Sequence, residues 1–186
     1  GKVPKEQWYN LARFIHFDRD NFREALNVLE LLIMYYPKKQ YWVQASHLYG
    51  EEKDEARQLA LLEATYEQNL LDRSQDIVLI SQLYLQAEVP YPAARAMEKG
   101  LADDIVEKES KNYELAGVAW RQAQEVTKSL PMLEAAASKS EKGELYARLG
   151  NVYLDVDKNK EAVEALKRGL DRGGVKRPDQ ARLALG

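Results

Sequence analysis

The chain has 186 residues, with 27 lysines and arginines against 30 aspartates and glutamates and a formal net charge of −3. A composition of 45% hydrophobic and 31% charged residues excludes a disordered chain, and with no block of basic residues it offers no electrostatic footprint for nucleic acid. The absence of cysteine excludes disulfides, thiolate nucleophiles and cysteine-based zinc sites.

No apolar run reaches the length of a membrane span; the nearest, residues 28–34, is interrupted by Glu30. No signal peptide is present. The chain opens at Gly1 and closes at Gly186, halfway through a repeating unit, and reads as a piece of a longer protein.

A column of small residues recurs every 33 to 36 positions: Ala12, Ser46, Ser81, Gly117, Gly150 and Gly186. A large apolar residue precedes most of them by four positions (Trp8, Trp42, Ile77, Tyr113, Tyr146), and another follows by three (Ile15, Tyr49, Tyr84, Trp120, Tyr153). Such a period predicts stacked pairs of antiparallel helices, each unable to bury its apolar face alone. Taken in chain order, the first unit, 5–37, places Trp8, Leu11, Ala12 and Ile15 on helix A and Ala25, Leu29 and Leu32 on helix B. Pro37 stops it, and its internal turn reads one residue longer than the others. The second, 39–72, fits through Trp42, Ala45, Ser46 and Tyr49, but Ala60 and Ala64 arrive about two residues late. The third, 74–108, carries Ile80, Ser81, Tyr84, Ala93, Met97 and Gly100.

In the fourth, 110–141, Tyr113, Ala116, Gly117, Trp120, Leu133 and Ala136 fit. Pro131 there predicts a short helix B starting near Ser129. The fifth, 143–174, is the cleanest: Tyr146, Leu149, Gly150 and Tyr153 share one helical face, a polar turn follows, then Ala162, Leu166 and Gly169. Gly173 and Gly174 end it. The last segment, 178–186, supplies a single helix with Leu185 and Gly186 in register.

Leu149-Gly150-x-x-Tyr153 followed by Ala162, Leu166 and Gly169 resembles the tetratricopeptide repeat (TPR). The resemblance covers nearly the whole chain and implies an all-α, right-handed solenoid of about five helix pairs plus one terminal helix, over a single domain 1–186. It further implies that the first helices of the pairs line a concave groove for a partner. Positions one after the bulky residue, one after the small residue and four after it then face that groove. They are Tyr9, Arg13 and His16; Val43, His47 and Gly50; Val78, Gln82 and Leu85; Glu114, Val118 and Arg121; and Ala147, Asn151 and Leu154. Tyr9, Val43, Val78, Leu85 and Leu154 would form an exposed apolar row suited to an extended or helical protein segment. TPR proteins that grip chaperone tails use a lysine and an asparagine where this chain has Tyr9 and Arg13, which argues against that ligand.

The only histidines, His16 and His47, lack further metal ligands at suitable spacing. Gly173-Gly174 lacks the strand and the Gly-Lys-Ser/Thr ending of a phosphate loop. No nucleophile stands beside a base, so the expectation is a non-catalytic scaffold without metal or cofactor. The runs Pro4 to Tyr9, Leu29 to Trp42, and Val89 to Arg95 with Glu98 to Leu101 are similar to proteobacterial TPR proteins associated with TonB-type systems. That similarity implies a periplasmic accessory of energy transduction and iron uptake, with a transport-complex component as partner. The competing expectation is self-association through the terminal helix, whose Leu183 and Leu185 form an apolar face, or assembly of another envelope complex.

Overall fold

A computed structural model describes residues 3–184. Among them lie eleven α-helices and no strand. Ten form consecutive hairpins: α1 (Glu6–Asp18) with α2 (Phe22–Tyr35), α3 (Lys39–Glu51) with α4 (Glu55–Glu67), and α5 (Ser74–Gln86) with α6 (Pro90–Ala102). Next come α7 (Ser110–Gln122) with α8 (Val126–Lys139), and α9 (Glu144–Asp155) with α10 (Asn159–Arg172). A short α11 (Pro178–Leu183) follows. The expected Leu185 and Gly186 lie outside the described residues. The chain divides into two compact units, Gly1–Asp72 and Arg73–Gly186. The first holds α1–α4 and the second α5–α11.

The hairpin turns are all three residues long. In each, the middle residue takes a left-handed backbone: Asp20, Lys53, Glu88, Gln124 and Asp157, with φ between 55° and 63°. The next N–H donates back six residues, inclusive, to a carbonyl of the first helix. The pairs are Asn21 to His16, Asp54 to Tyr49, Val89 to Tyr84, Glu125 to Trp120 and Lys158 to Tyr153, at 2.8–2.9 Å. This closure satisfies helix-end carbonyls that would otherwise lack a donor.

Aligning the chain on these turns fixes the register of the core. On the second helices three buried columns emerge: Ala25, Gln58, Ala93, Ser129 and Ala162; Leu29, Leu62, Met97, Leu133 and Leu166; Leu32, Thr65, Gly100, Ala136 and Gly169. The small residues of the first helices exist to admit these columns. A Cβ on Gly117 would stand 2.6 Å from Leu133 Cγ, and one on Gly150 would stand 2.7 Å from Leu166 Cγ. α10 ends at Gly173, whose φ of 77° suits glycine.

Three expectations change. The first hairpin's turn is not longer than the others; instead the register of α1 is displaced by one residue. Tyr9, Arg13 and His16, not Trp8, Ala12 and Ile15, occupy the positions held later by Trp42, Ser46 and Tyr49. In the second hairpin the repeat is in register after all. Gln58 and Thr65 take the small-residue places, while Ala60 is exposed. Thr65 is accommodated by donating its hydroxyl to Leu61 O at 2.7 Å. Finally, α8 is a full 14 residues with Pro131 inside it. The turn residue Gln124 sets where α8 begins, so the proline does not. Thr127 and Pro131 are both exposed, so water can serve the carbonyl that loses its N–H donor.

Candidate partner-binding groove

The odd-numbered helices of the second unit carry one face with a repeating spacing of three and four residues: 75, 78, 82 on α5; 111, 114, 118 on α7; 144, 147, 151 on α9. Between α5 and α7 this face forms an open cleft of about 870 Å³. Val78, Leu115, Val118 and Ile105 supply its apolar wall; Arg73, Gln75, Gln82, Glu107, Lys111 and Glu114 supply its polar one. A second cavity of about 350 Å³ lies between α7 and α9, bordered by Glu114, Val118, Arg121 and Asn151. A third, of about 240 Å³, joins α9 to α11 through Ala147, Asn151, Val175 and Arg177.

The polar groups around the groove are held by neighbours. Arg73 grips the buried Asp76 carboxylate with two bonds, Nε at 2.8 Å and Nη2 at 3.1 Å. The Ser74 hydroxyl donates to Glu107 at 2.6 Å, and Asn112 Nδ2 donates to the Glu107 carbonyl at 2.8 Å. Lys111 pairs with Glu109 at 2.9 Å, and that hydrogen bond raises the pKa of the ammonium above its ordinary value. Arg148 bridges to Glu114 at 2.7 Å, and Arg121 to Asp155 at 3.0 Å. These last two pairs join α9 to α7 about one repeat apart.

Of the residues expected in a groove, Val78, Gln82 and Glu114, with Val118, border the largest cavity. Arg121 and Asn151 border the second, and Ala147 and Asn151 the third. Leu85 is half-buried and borders none of these three cavities, and Leu154 packs on the cluster around Leu130, Leu149 and Val152. The expected row of exposed apolar side chains therefore does not form. Tyr9, Val78, Leu85 and Leu154 are half-buried, and Val43 is buried at 6% exposure.

The displaced register of α1 moves the first unit's candidates onto packing positions. Tyr9 leans on the core of the first unit, its ring 6.3 Å from Tyr35 and 6.4 Å from Tyr36. Arg13 donates to Gln44 Oε1, and its guanidinium lies 5.9 Å from the Tyr41 ring. His16 Nδ1 and Arg13 Nε are buried without a hydrogen-bond partner among the described residues. His47 is exposed, and Gly50 lies against the Gln58 side chain. The groove-register residues of α1 are instead Asn10, Phe14 and Phe17. Asn10 donates to Tyr41 Oη at 2.8 Å, Phe14 is 65% exposed, and Phe17 meets Phe22 edge-on at 6.2 Å. A turn of constant length was the signal that would have found them. Sequence reasoning also missed Gln75, Lys111, Leu115 and Ile105, which extend the same face by a helical turn and into the loop before α7.

Among the described residues no group of three or more His, Cys, Asp or Glu side chains is placed to hold a metal ion, and no helix is long and apolar enough to cross a membrane. No protein-family model and no curated protein matches the chain. Solved structures do. MamA, residues 41 to the end, from Desulfovibrio magneticus RS-1 aligns with a TM-score of 0.62 at 16% identity, over 92% of this chain and 97% of that one. Another MamA crystal structure aligns with a TM-score of 0.64 at 15% identity, over 97% and 96%. YrrB, described as a TPR protein with an unusual peptide-binding site, aligns with a TM-score of 0.67 at 12% identity, over 94% and 88%. At these identities the likeness speaks to architecture, and it agrees with the hairpins and their turns: this chain has the TPR fold.

Proposed function

We propose that the chain is a non-catalytic protein–protein interaction scaffold that holds a partner segment along α5, α7 and α9. The observation that carries this reading is the row of three adjoining cavities on one face of the second unit, the largest with an apolar wall. Clefts of this size with a few convergent polar groups are the usual seat of a ligand. The peptide-binding site described for YrrB, on the same fold, supports it. The finer reading is that of a periplasmic accessory of a TonB-type energy-transduction and iron-uptake system. It rests on the sequence runs around Trp8, Trp42 and Arg95, and the partner is then a component of that transport complex.

A photoreactive residue at Gln82 tests both levels. Expressed in a Gram-negative envelope, it should capture a partner that the same probe at exposed Arg95 on α6 does not. Equal capture at both positions removes the groove. Capture at Gln82 of a protein unrelated to outer-membrane transport removes only the finer reading. A second reading, self-association, is favoured by the exposed apolar side chains of the first hairpin, Trp8 at 58%, Phe14 at 65% and Met34 at 68%. A mass by light scattering that rises with concentration would support it.

A further inference from the structure

We infer that the segment seated between α5 and α7 is an uncharged, extended stretch bearing aliphatic side chains, and not an acidic or a basic tail. This rests on the groove reading above. Four charged residues line the cavity: Arg73, Glu107, Lys111 and Glu114. Each is already engaged, with Asp76, Ser74, Glu109 and Arg148 respectively. Three of the four contacts are ion pairs that cancel locally. A charged segment would either displace one of these pairs or remain beside it in water, where exposed pairs are worth little.

The fourth, Glu107, is held by a hydroxyl rather than a cation, so an acidic segment meets the least favourable field of all; Glu107 is itself exposed, so a basic segment gains there only what a solvated ion pair is worth. What the cavity offers unspent is aliphatic surface, from Val78, Ile105, Leu115 and Val118, and exposed amides. Gln75 and Gln82 lie exposed on its α5 side. A side-chain amide donates and accepts, so it can pair with both N–H and C=O of a peptide backbone. Only an extended segment presents those groups, because a helix spends them on itself.

Fluorescence anisotropy with the full 186-residue chain tests this. The probes are labelled peptides of about twelve residues. One is a Ser/Thr/Gly peptide with two leucines at alternate positions. The others replace its serines by aspartate, replace them by lysine, or replace its leucines by alanine. The neutral leucine peptide should bind at least about tenfold more tightly than the other three. Its affinity should change by less than about twofold between about 50 and 500 mM salt. Gln82→Arg, at an exposed position that leaves packing intact, should weaken it, and Val118→Asp should abolish it with helix content unchanged. Tighter, salt-sensitive binding of the acidic or basic peptide through these same residues overturns the inference and leaves the groove standing. No binding by any peptide, or binding indifferent to both substitutions, overturns the groove itself.

Discussion

Tyr49 and Tyr153 occupy equivalent places and solve the same problem in the same way. Each buries its ring and donates its hydroxyl to a glutamate nineteen residues earlier, on the preceding hairpin: Glu30 for Tyr49, at 2.6 Å, and Glu134 for Tyr153. Trp120 holds the same position, and its indole Nε1 is buried without a hydrogen-bond partner among the described residues. Lys128 lies over its ring, 4.6 Å from the centroid, instead. Burial first, and then the bond to Glu30, pushes the Tyr49 phenol up to about 12. The same causes, burial and then Glu134, raise Tyr153. An unfolded tyrosine loses its proton near pH 10, about two units earlier. The folded state therefore holds a proton that the unfolded state has released. This contribution is complete below about pH 10 and is lost as pH rises toward about 12. Tyr49→Phe should cost about 0.5–1.5 kcal/mol at neutral pH. It should also flatten the fall in urea midpoint measured from pH 9.5 to 11.5, and an unaltered slope would disconnect Tyr49 from alkaline unfolding. At this scale the sequence was partly legible. The tyrosine column stands out by its period, whereas Arg13 and His16 in α1 do not look like the serine and tyrosine whose places they take.

Single helices were readable where apolar periodicity and turn chemistry agreed, as in α9 and α10, where Leu149, Gly150 and Tyr153 precede a polar turn. They were misread where one strong residue signal outweighed the repeat. Pro131 argued for a late start of α8, yet the three-residue turn through Gln124 places that start at Val126. Gln58 hid a buried small-residue position because a glutamine seldom fills one. The price of Pro131 is one missing N–H donor on an exposed helix face, which Pro131→Ala should restore. The substitution should stabilise the protein by about 1–3 kcal/mol and raise its calorimetric melting temperature. A fall in melting temperature would mean that the proline fits α8 better than a regular turn does. The contacts between hairpins keep the same count. Lys38 to Glu6, Ser74 to Glu107, Arg148 to Glu114 and Arg121 to Asp155 are separated by 32 to 34 residues, about one repeat. The ion pairs among them are exposed, so they set alignment more than stability.

For the molecule as a whole, the count of hairpins was legible from the recurrence of small residues, and the division into Gly1–Asp72 and Arg73–Gly186 was not. Periodic patterning says that hairpins repeat but does not mark where one compact unit ends and the next begins. All the residues bordering the groove cavities belong to the second unit. Expressed alone, residues 73–186 should therefore keep their helical circular dichroism and bind the neutral leucine peptide within about threefold of the full chain. Loss of binding with structure retained would mean that the first unit shares the work. The five left-handed turn residues have a wider implication. Asp20, Lys53, Glu88, Gln124 and Asp157 each bear a backbone shape that disfavours a side chain by about 1–2 kcal/mol, part of which glycine's greater chain freedom would offset. None of them borders a groove cavity. Hardening against heat and the partner choice proposed for the groove are thereby written at separate addresses, so either can drift through evolution, or be engineered, while the other stands still.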